Sequence, residues 1–311
     1  MAILVVGSVA FDNIETPHGK VDNCLGGAAT HFSLAARFFT PVRVIAVVGE
    51  DFTAEHEGVL TQRGVDTQGL EHAPGLSFHW TGEYSGNLNE AKTLGTDLNV
   101  FATFEPKIPA AYADSEYLFL ANIDPALQAR VRKQMPNVRM VCGDTMNYWI
   151  ADHAANLAVV LKELDVLLIN DGEARMLAGE QNLVRAAEKV MAMGPKALVV
   201  KHGEYGATAF FCDRSFAGST SITVPFRAPA LPLSEVVDPT GAGDSFAGGF
   251  YGYIASQPKL TPSVFRTAMF YGGVMGSFAV EKFGTERLQG VTREEIEERF
   301  RLFREISHLD V

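Results

Sequence analysis

Between Asp238 and Phe250 the chain reads Asp-Pro-Thr-Gly-Ala-Gly-Asp-Ser-Phe-Ala-Gly-Gly-Phe. The apolar end of Leu233 to Val237 reads as a strand, and the apolar run through Ile254 reads as a buried helix. A strand, turn and helix of this kind can aim the unpaired amides of Gly241, Ala242 and Gly243 at one point, where the positive end of the helix dipole adds to their pull on an anion. Phosphate suits that point. Asp244 follows at once, a carboxylate at the edge of the anion site and able to take a proton from an alcohol attacking phosphorus. The same residues also satisfy a plainer requirement, in which Pro239 and the glycines make a tight turn and Asp244 favours the first helical turn.

Further polar clusters stand just after short apolar runs that read as buried strands, at the edge of an open α/β sheet where ligands bind. Asp12 follows Ile3 to Val6, and Asn170-Asp171-Gly172-Glu173 follows Val166 to Ile169 and opens a helix. Lys201-His202-Gly203-Glu204-Tyr205-Gly206 follows Ala197 to Val200, with glycines that suit a backbone passing close to a nucleotide. Each has a plain alternative: a loop aspartate satisfying nearby amides, acids favoured at a helix start, a solvated lysine before a turn. Asp144 is placed to see phosphate or a metal-bound water, whereas Trp149 reads as core. Gly26-Gly27-Ala28-Ala29 opens a helix-like stretch, Phe32 to Phe39, whose small residues let a substrate or a strand approach the backbone.

The full string from Asp238 to Phe250 resembles the C-terminal signature of the ribokinase, or PfkB, family of carbohydrate and nucleoside kinases. The resemblance implies that Asp244 is the catalytic base and that Gly241, Ala242 and Gly243 form the hole for the transferred phosphoryl group. It implies that Asp12 grips substrate hydroxyls beside a Gly26-Gly27 motif. Where many members carry Asn a few residues later, this chain has His31, a ring that also donates or accepts. Asn170 and Glu173 match the family's Asn-x-x-Glu motif, with Asn170 on phosphate and Glu173 orienting water around Mg2+, a hard ion that keeps several waters. By the same resemblance Lys201 and Gly203, with Gly206, line the ATP site, and Ala279 and Gly284 lie in the region that contacts adenine. Asp238 is then placed to help hold a potassium ion beside the anion hole, as in several members.

Regular alternation positions these residues. Strands at Tyr117 to Ala121, Val138 to Cys142, Val166 to Ile169 and Ala197 to Val200 are separated by helical stretches such as Pro125 to Met135, His153 to Leu164 and Asn182 to Met193. That rhythm predicts an α/β fold, a doubly wound and mostly parallel sheet flanked by helices. Ser77 to Tyr84 and Leu94 to Phe101 instead alternate polar and apolar residues around a Ser85-Gly-Asn-Leu-Asn89 turn, the period of strands with one face in water. They read as a small β-sheet lid, residues 77–101, inserted in a ribokinase-like core of residues 1–76 and 102–311. Phe78, Trp80 and Tyr84 share a parity and so a face. Relatives use such a lid to cover substrate and often to form a homodimer. Gly206 to Cys212 and Ser221 to Pro225 read as a hairpin-type addition, and Pro262 to Val280 and Thr292 to Ile306 as helices, the second opened by a Thr292-x-x-Glu295 capping box.

The 311 residues carry 26 Lys plus Arg against 37 Asp plus Glu, a net charge of -11 that disfavours nucleic acid as a partner. No run approaches the ~18 apolar residues that cross a bilayer, and the N-terminus enters a strand without the features of a signal peptide. Cys24, Cys142 and Cys212 leave one thiol unpaired in any scheme and show no Cys-x-x-Cys spacing, so the expectation is buried thiols in a reducing cytoplasm. The Gly7-Ser-Val-Ala-Phe-Asp12 segment lacks a dinucleotide fingerprint, and no P-loop is present. The leading expectation is therefore ATP- and Mg2+-dependent phosphorylation of a hydroxyl on a sugar or sugar-like alcohol. An adenosine-like nucleoside kinase is the alternative, and the intact Asp244 argues against a non-catalytic binding regulator.

Overall fold

A computed structural model describes residues 1–86, 88–89, 91–211 and 225–307. The chain runs β1 (Ile3–Val6), β2 (Ala10–Thr16), β3 (Gly19–Gly26), α1 (Ala28–Ala36), β4 (Val42–Val48), α2 (Ala54–Thr61), β5 (Asp66–His72), β6 (Phe78–Tyr84) and β7 (Ala91–Asp97). It continues β8 (Tyr117–Leu120), α3 (Pro125–Gln134), β9 (Met140–Asp144), α4 (Asn147–Asp152), α5 (Ala154–Leu161), β10 (Val166–Asn170), α6 (Asp171–Ala178), α7 (Leu183–Ala192), β11 (Ala197–Lys201), β12 (Ala207–Phe211) and β13 (Phe226–Ala228). Four helices close it: α8 (Ala242–Ser256), α9 (Pro262–Ala279), α10 (Glu286–Gly290) and α11 (Arg293–Ser307).

A nine-stranded sheet is ordered β13-β12-β11-β10-β9-β8-β1-β4-β5 and is parallel from β11 to β5, with β12 and β13 added antiparallel at one edge. Its strands are apolar on both faces because helices cover both. Ile3, Val5, Phe119, Cys142 and Leu168 pack with Phe32 of α1, Phe250 of α8 and Phe265 of α9 on one side. Leu4, Val6, Leu120, Val141 and Leu167 pack with Val131 of α3, Leu157 of α5 and Val190 of α7 on the other. The carboxyl ends of β9, β10 and β11 deliver Asp144, Asn170 and Lys201 to one rim.

The small sheet is ordered β3-β2-β6-β7. It is larger than the 77–101 insertion expected, because residues 10–26 fold as an antiparallel hairpin and β2 pairs in parallel with β6. Asp12, Asn13, Asp22 and Asn23 are residue types depleted in strands, which is why that hairpin reads as loop in the sequence. The stretch expected to continue as strand to Phe101 ends at Asp97 and turns into a 3-10 segment, Asn99–Thr103. Leu233 to Val237 is not a strand either. There the Val237 and Asp238 amides both bond to the Val280 carbonyl, so the anion turn is approached by a loop pinned to the end of α9. β12 forms the first strand of the expected hairpin-type addition, but its antiparallel partner β13 begins at Phe226, after the Ser221 to Pro225 stretch expected there; Cys212 and Ser221 to Val224 lie outside the described residues. The capping box at α11 is present, with Thr292 N donating to Glu295 Oε2 at 2.9 Å and Glu295 N donating to Thr292 Oγ1 at 3.2 Å.

Candidate active site

Gly241 is the N-cap of α8 and takes a left-handed conformation (φ 72°), which an L side chain resists. A Cβ there would also lie 2.3 Å from the His31 ring, so the imidazole packs face-on behind the turn. The Ala242 amide donates to the Pro239 carbonyl at 3.2 Å; among the described residues no carbonyl accepts from the Gly241 or Gly243 amide. Of the three amides expected in the anion hole, Ala242 is therefore bound internally, because the turn closes on itself at that residue.

Asp244 sits one step further along, partly open to the cleft, and burial pushes its carboxyl up to about 7, with Asp144 adding to the rise and Lys201 opposing it. Lys201 lies across the turn: its Nζ is 3.2 Å from Asp144 Oδ2 and 3.0 Å from where a Cβ on Gly243 would stand. Glycine at 243 is thus what lets the ammonium come up against the turn. Burial pushes Asp144 up while the ammonium pulls it back; on Lys201 burial acts downward and is outweighed by Asp144, Glu173 and Asp244. Gln128 Nε2 donates to the carbonyls of Leu120, Ala121 and Asp144, tying the ends of β8 and β9 together.

Asn170 and Glu173 form a reciprocal cap on α6, Asn170 N to Glu173 Oε2 at 2.8 Å and Glu173 N to Asn170 Oδ1 at 2.7 Å. The helix-start alternative is therefore real, and it coexists with a site property. Glu173 is pushed up to about 7 by burial and then by Asp144. Among the described residues no three His, Cys, Asp or Glu side chains converge on a metal position. Two carboxylates beside a lysine suit Mg2+, which is commonly held by one or two carboxylates together with substrate phosphates.

On the opposite wall Asp12 belongs to β2 of the small sheet, not to a loop after β1. It is 4% exposed, and a Cβ on Gly26 would stand 1.8 Å from its Oδ2, so the first glycine of the pair makes room for this carboxylate. Burial pushes Asp12 up to about 7, with Asp238 and Asp244 adding to the rise and the Gly27 amide opposing it. Gly27 carries φ 93° with Ser8 O 2.5 Å from its Cβ position.

Three expected residues are placed differently from their expected use. His31 is 1% exposed with neither ring nitrogen hydrogen-bonded, and burial lowers it to about 4, so it is a neutral ring supporting the turn from behind. Ala279 is fully buried in the main core, because it is the last residue of α9 packed against the sheet. Asp238 is fully buried, its Oδ1 accepting from Thr240 N and its Oδ2 from Gly284 N, both at 2.8 Å, so it braces the turn to the segment after α9. Gly203 (φ 56°) and Gly206 (φ 91°) lie beyond β11; the Asn89 side chain of the β6–β7 turn comes within 2.2 Å of the Cβ position of Gly203. Trp149 is half-buried instead of core, donating to Asn122 Oδ1 at 2.9 Å. Sequence reasoning missed that Tyr84, at the end of β6, reaches Thr240 in the anion turn at 3.2 Å. Its one signal was the alternation of β6, which marks a face without naming a partner.

The profile of the pfkB family carbohydrate kinases matches residues 2–289. The chain belongs to that family. It is 27% identical over 264 residues, 82% of this chain and 90% of the relative, to a cytidine kinase of Thermococcus kodakarensis. A nucleoside kinase of Burkholderia thailandensis solved with inosine superposes with TM-score 0.75 at 20% identity, covering 96% of this chain and 98% of that one. A candidate ribokinase II of E. coli, solved with ATP and Mg2+, superposes with TM-score 0.75 at 20% identity, covering 96% and 99%. This pfkB kinase is a phosphotransferase that carries a phosphoryl group from ATP to a hydroxyl of a sugar or nucleoside. Among the described residues no helix is long and apolar enough to cross a membrane.

Proposed function

We propose that the acceptor of this kinase is a nucleoside, the alternative in the sequence reading, and not a free sugar. The observation that carries it is Trp80. In the β2–β6 pairing Asp12 and Trp80 are direct partners, so their side chains leave the same face of the small sheet. The indole lies over Gly82, whose Cβ position is 2.0 Å from the ring, and is held there by Nε1 donating to Thr93 Oγ1 at 3.3 Å. A fixed aromatic plane beside a hydroxyl-gripping carboxylate suits a ribose that carries a base. The cytidine kinase relative supports the same reading.

In this assignment Asp12 orients the sugar hydroxyls and Asp244 takes the proton of the attacking hydroxyl as its oxygen bonds to phosphorus and ADP departs. The Gly241 and Gly243 amides and the Lys201 ammonium meet charge on the phosphoryl group in flight. Lys201, Gly203, Gly206 and Asn170 border the donor, Glu173 orients water on the metal, and bound Mg2+ supplies neutralisation of phosphate charge. Asp238 keeps spare lone pairs for the potassium ion implied by the resemblance, which comparing rates in KCl and in choline chloride tests. The open edge at β7, with Leu94 and Leu98 exposed, is assigned to a homodimer in the cytoplasm, tested by sedimentation. The acceptor is tested by ADP formation with cytidine, inosine, adenosine, ribose and fructose. Turnover of ribose or fructose with no nucleoside active would overturn the nucleoside reading and restore the sugar one.

A further inference from the structure

Tyr84 ends β6 with its phenol 9% exposed, inside the molecule instead of on the outer lid face. A phenol buried this far costs free energy unless its oxygen finds a partner, and here the Thr240 hydroxyl donates to it at 3.2 Å. Thr240 is the residue before the left-handed Gly241, and its own amide is already fixed by Asp238 Oδ1 at 2.8 Å. The anion turn is thus held from below by Asp238 and His31, and from above by one residue of the small sheet. Burial pushes this phenol up, the Thr240 bond opposes the rise, and the carboxylates of Asp238, Asp12 and Asp244 add to it. The same β6–β7 hairpin carries Asn89 down to Gly203 on the far side of the donor loop. The lid therefore touches the phosphoryl-donor half at two places.

We propose that Tyr84 is a positioning residue for phosphoryl transfer: through its hydrogen bond with Thr240 it lets the closed lid complete the anion hole. The inference rests on the assignment of the Gly241 turn as that hole. Lid closure over an acceptor then braces the turn whose amides meet the phosphoryl group, while an open lid leaves the Thr240 hydroxyl without this partner. Transfer to a bound alcohol is favoured over transfer to water because only the former closes the lid.

Tyr84→Phe keeps the ring and removes the bond. It is expected to lower kcat by about 3- to 10-fold, the size of one net hydrogen bond, with acceptor KM nearly unchanged and with a larger share of ADP formed by hydrolysis. Thr240→Val is expected to give a similar loss and Thr240→Ser to restore most of it. The double variant Tyr84→Phe/Thr240→Val should be no slower than the worse single variant, since both remove the same bond. A role in packing alone would leave the hydrolysis share unmoved and the losses additive. Unchanged kcat in Tyr84→Phe, additive losses, or a loss confined to acceptor KM would each overturn the proposal. Asp244→Asn assayed alongside separates the two failures. If it is inactive while Tyr84→Phe is normal, only the latch has failed; if it retains full activity, the site assignment and the latch fall together.

Discussion

The two sheets of this kinase are made of different material. β10 of the large sheet is Val-Leu-Leu-Ile-Asn, buried at its first four positions, whereas β7 of the small sheet is Ala-Lys-Thr-Leu-Gly-Thr-Asp and is exposed everywhere except Gly95. The first can be held only by burial on both faces. The second has an open edge and is wet on both faces, so it contributes little to global stability and is free to move over a ligand. Catalytic groups follow the same division. The proposed base, the anion turn and Lys201 stand on helices and strand ends of the large sheet, while the proposed acceptor contacts, Asp12 and Trp80, stand on the small one. Chemistry is anchored in the rigid part, and choice of substrate is entrusted to the other.

The sharpest way to break that division is to remove chemistry while leaving the fold in place. Asp244→Asn is expected to lower kcat by ~10²- to 10⁴-fold, the range for loss of a general base, with ATP binding retained in calorimetry. A loss below tenfold would mean another group takes the proton. Next in size is Phe119→Ala. Phe119 is fully buried on β8 and stacks on Phe32 of α1 at 4.1 Å between centroids, so truncation should cost about 3–5 kcal/mol in denaturant midpoint analysis. Leu94→Ala on β7 should stay within about 0.5 kcal/mol. Equal effects at the two positions would refute the division of stability between the sheets.

Trp80→Ala sharpens the comparison from the other side. Loss of a stacking platform is worth about 1–3 kcal/mol per base, so nucleoside KM should rise roughly 5- to 150-fold while the melting temperature stays near that of the parent. A fall in melting temperature with no change in KM would return Trp80 to an ordinary packing role.

The same division explains what could be read in the sequence. The parallel core was legible because β1, β8, β10 and β11 are continuous apolar runs between helices, and burial on both faces writes itself directly into composition. The lid was half legible. β6 alternates cleanly, but β2 carries Asp12 and Asn13 for reasons of function and hydrogen bonding, Asn13 donating to Thr81 Oγ1 at 3.1 Å, and so loses the strand signal. The motifs marked polar residues at strand ends that the fold gathers to one rim, yet no spacing rule announced that Lys201 pairs with Asp144, 57 residues away, or that Tyr84 meets Thr240, 156 residues away. Long-range polar pairs leave no periodic trace. His31 is a different case: expected at the substrate for a ring that donates or accepts, it lies with the flat face of that ring under Gly241.

The smallest expected effect concerns pH, and it separates function from stability most directly. Burial raises Asp12, Asp244 and Glu173 to about 7 each, well above an ordinary carboxyl. A carboxyl whose folded pKa is raised keeps its proton in the folded protein over a range where the unfolded chain has released it. Its stabilising contribution is fully present below the unfolded value, near 4, and is lost as pH rises through about 7. Activity runs the other way, because Asp244 works as a base only when ionised, so kcat/KM should climb as pH rises through about 7 and then level. Asp244→Asn mimics the protonated carboxyl and removes one group from this balance. Its melting temperature should therefore exceed that of the parent at pH 8 and match it at pH 4 and below, a modest gain because Asp244 is partly open to water. A variant equally displaced at both pH values would show that Asp244 is ionised in the folded state throughout, and the anion turn would then be working against a permanent negative neighbour.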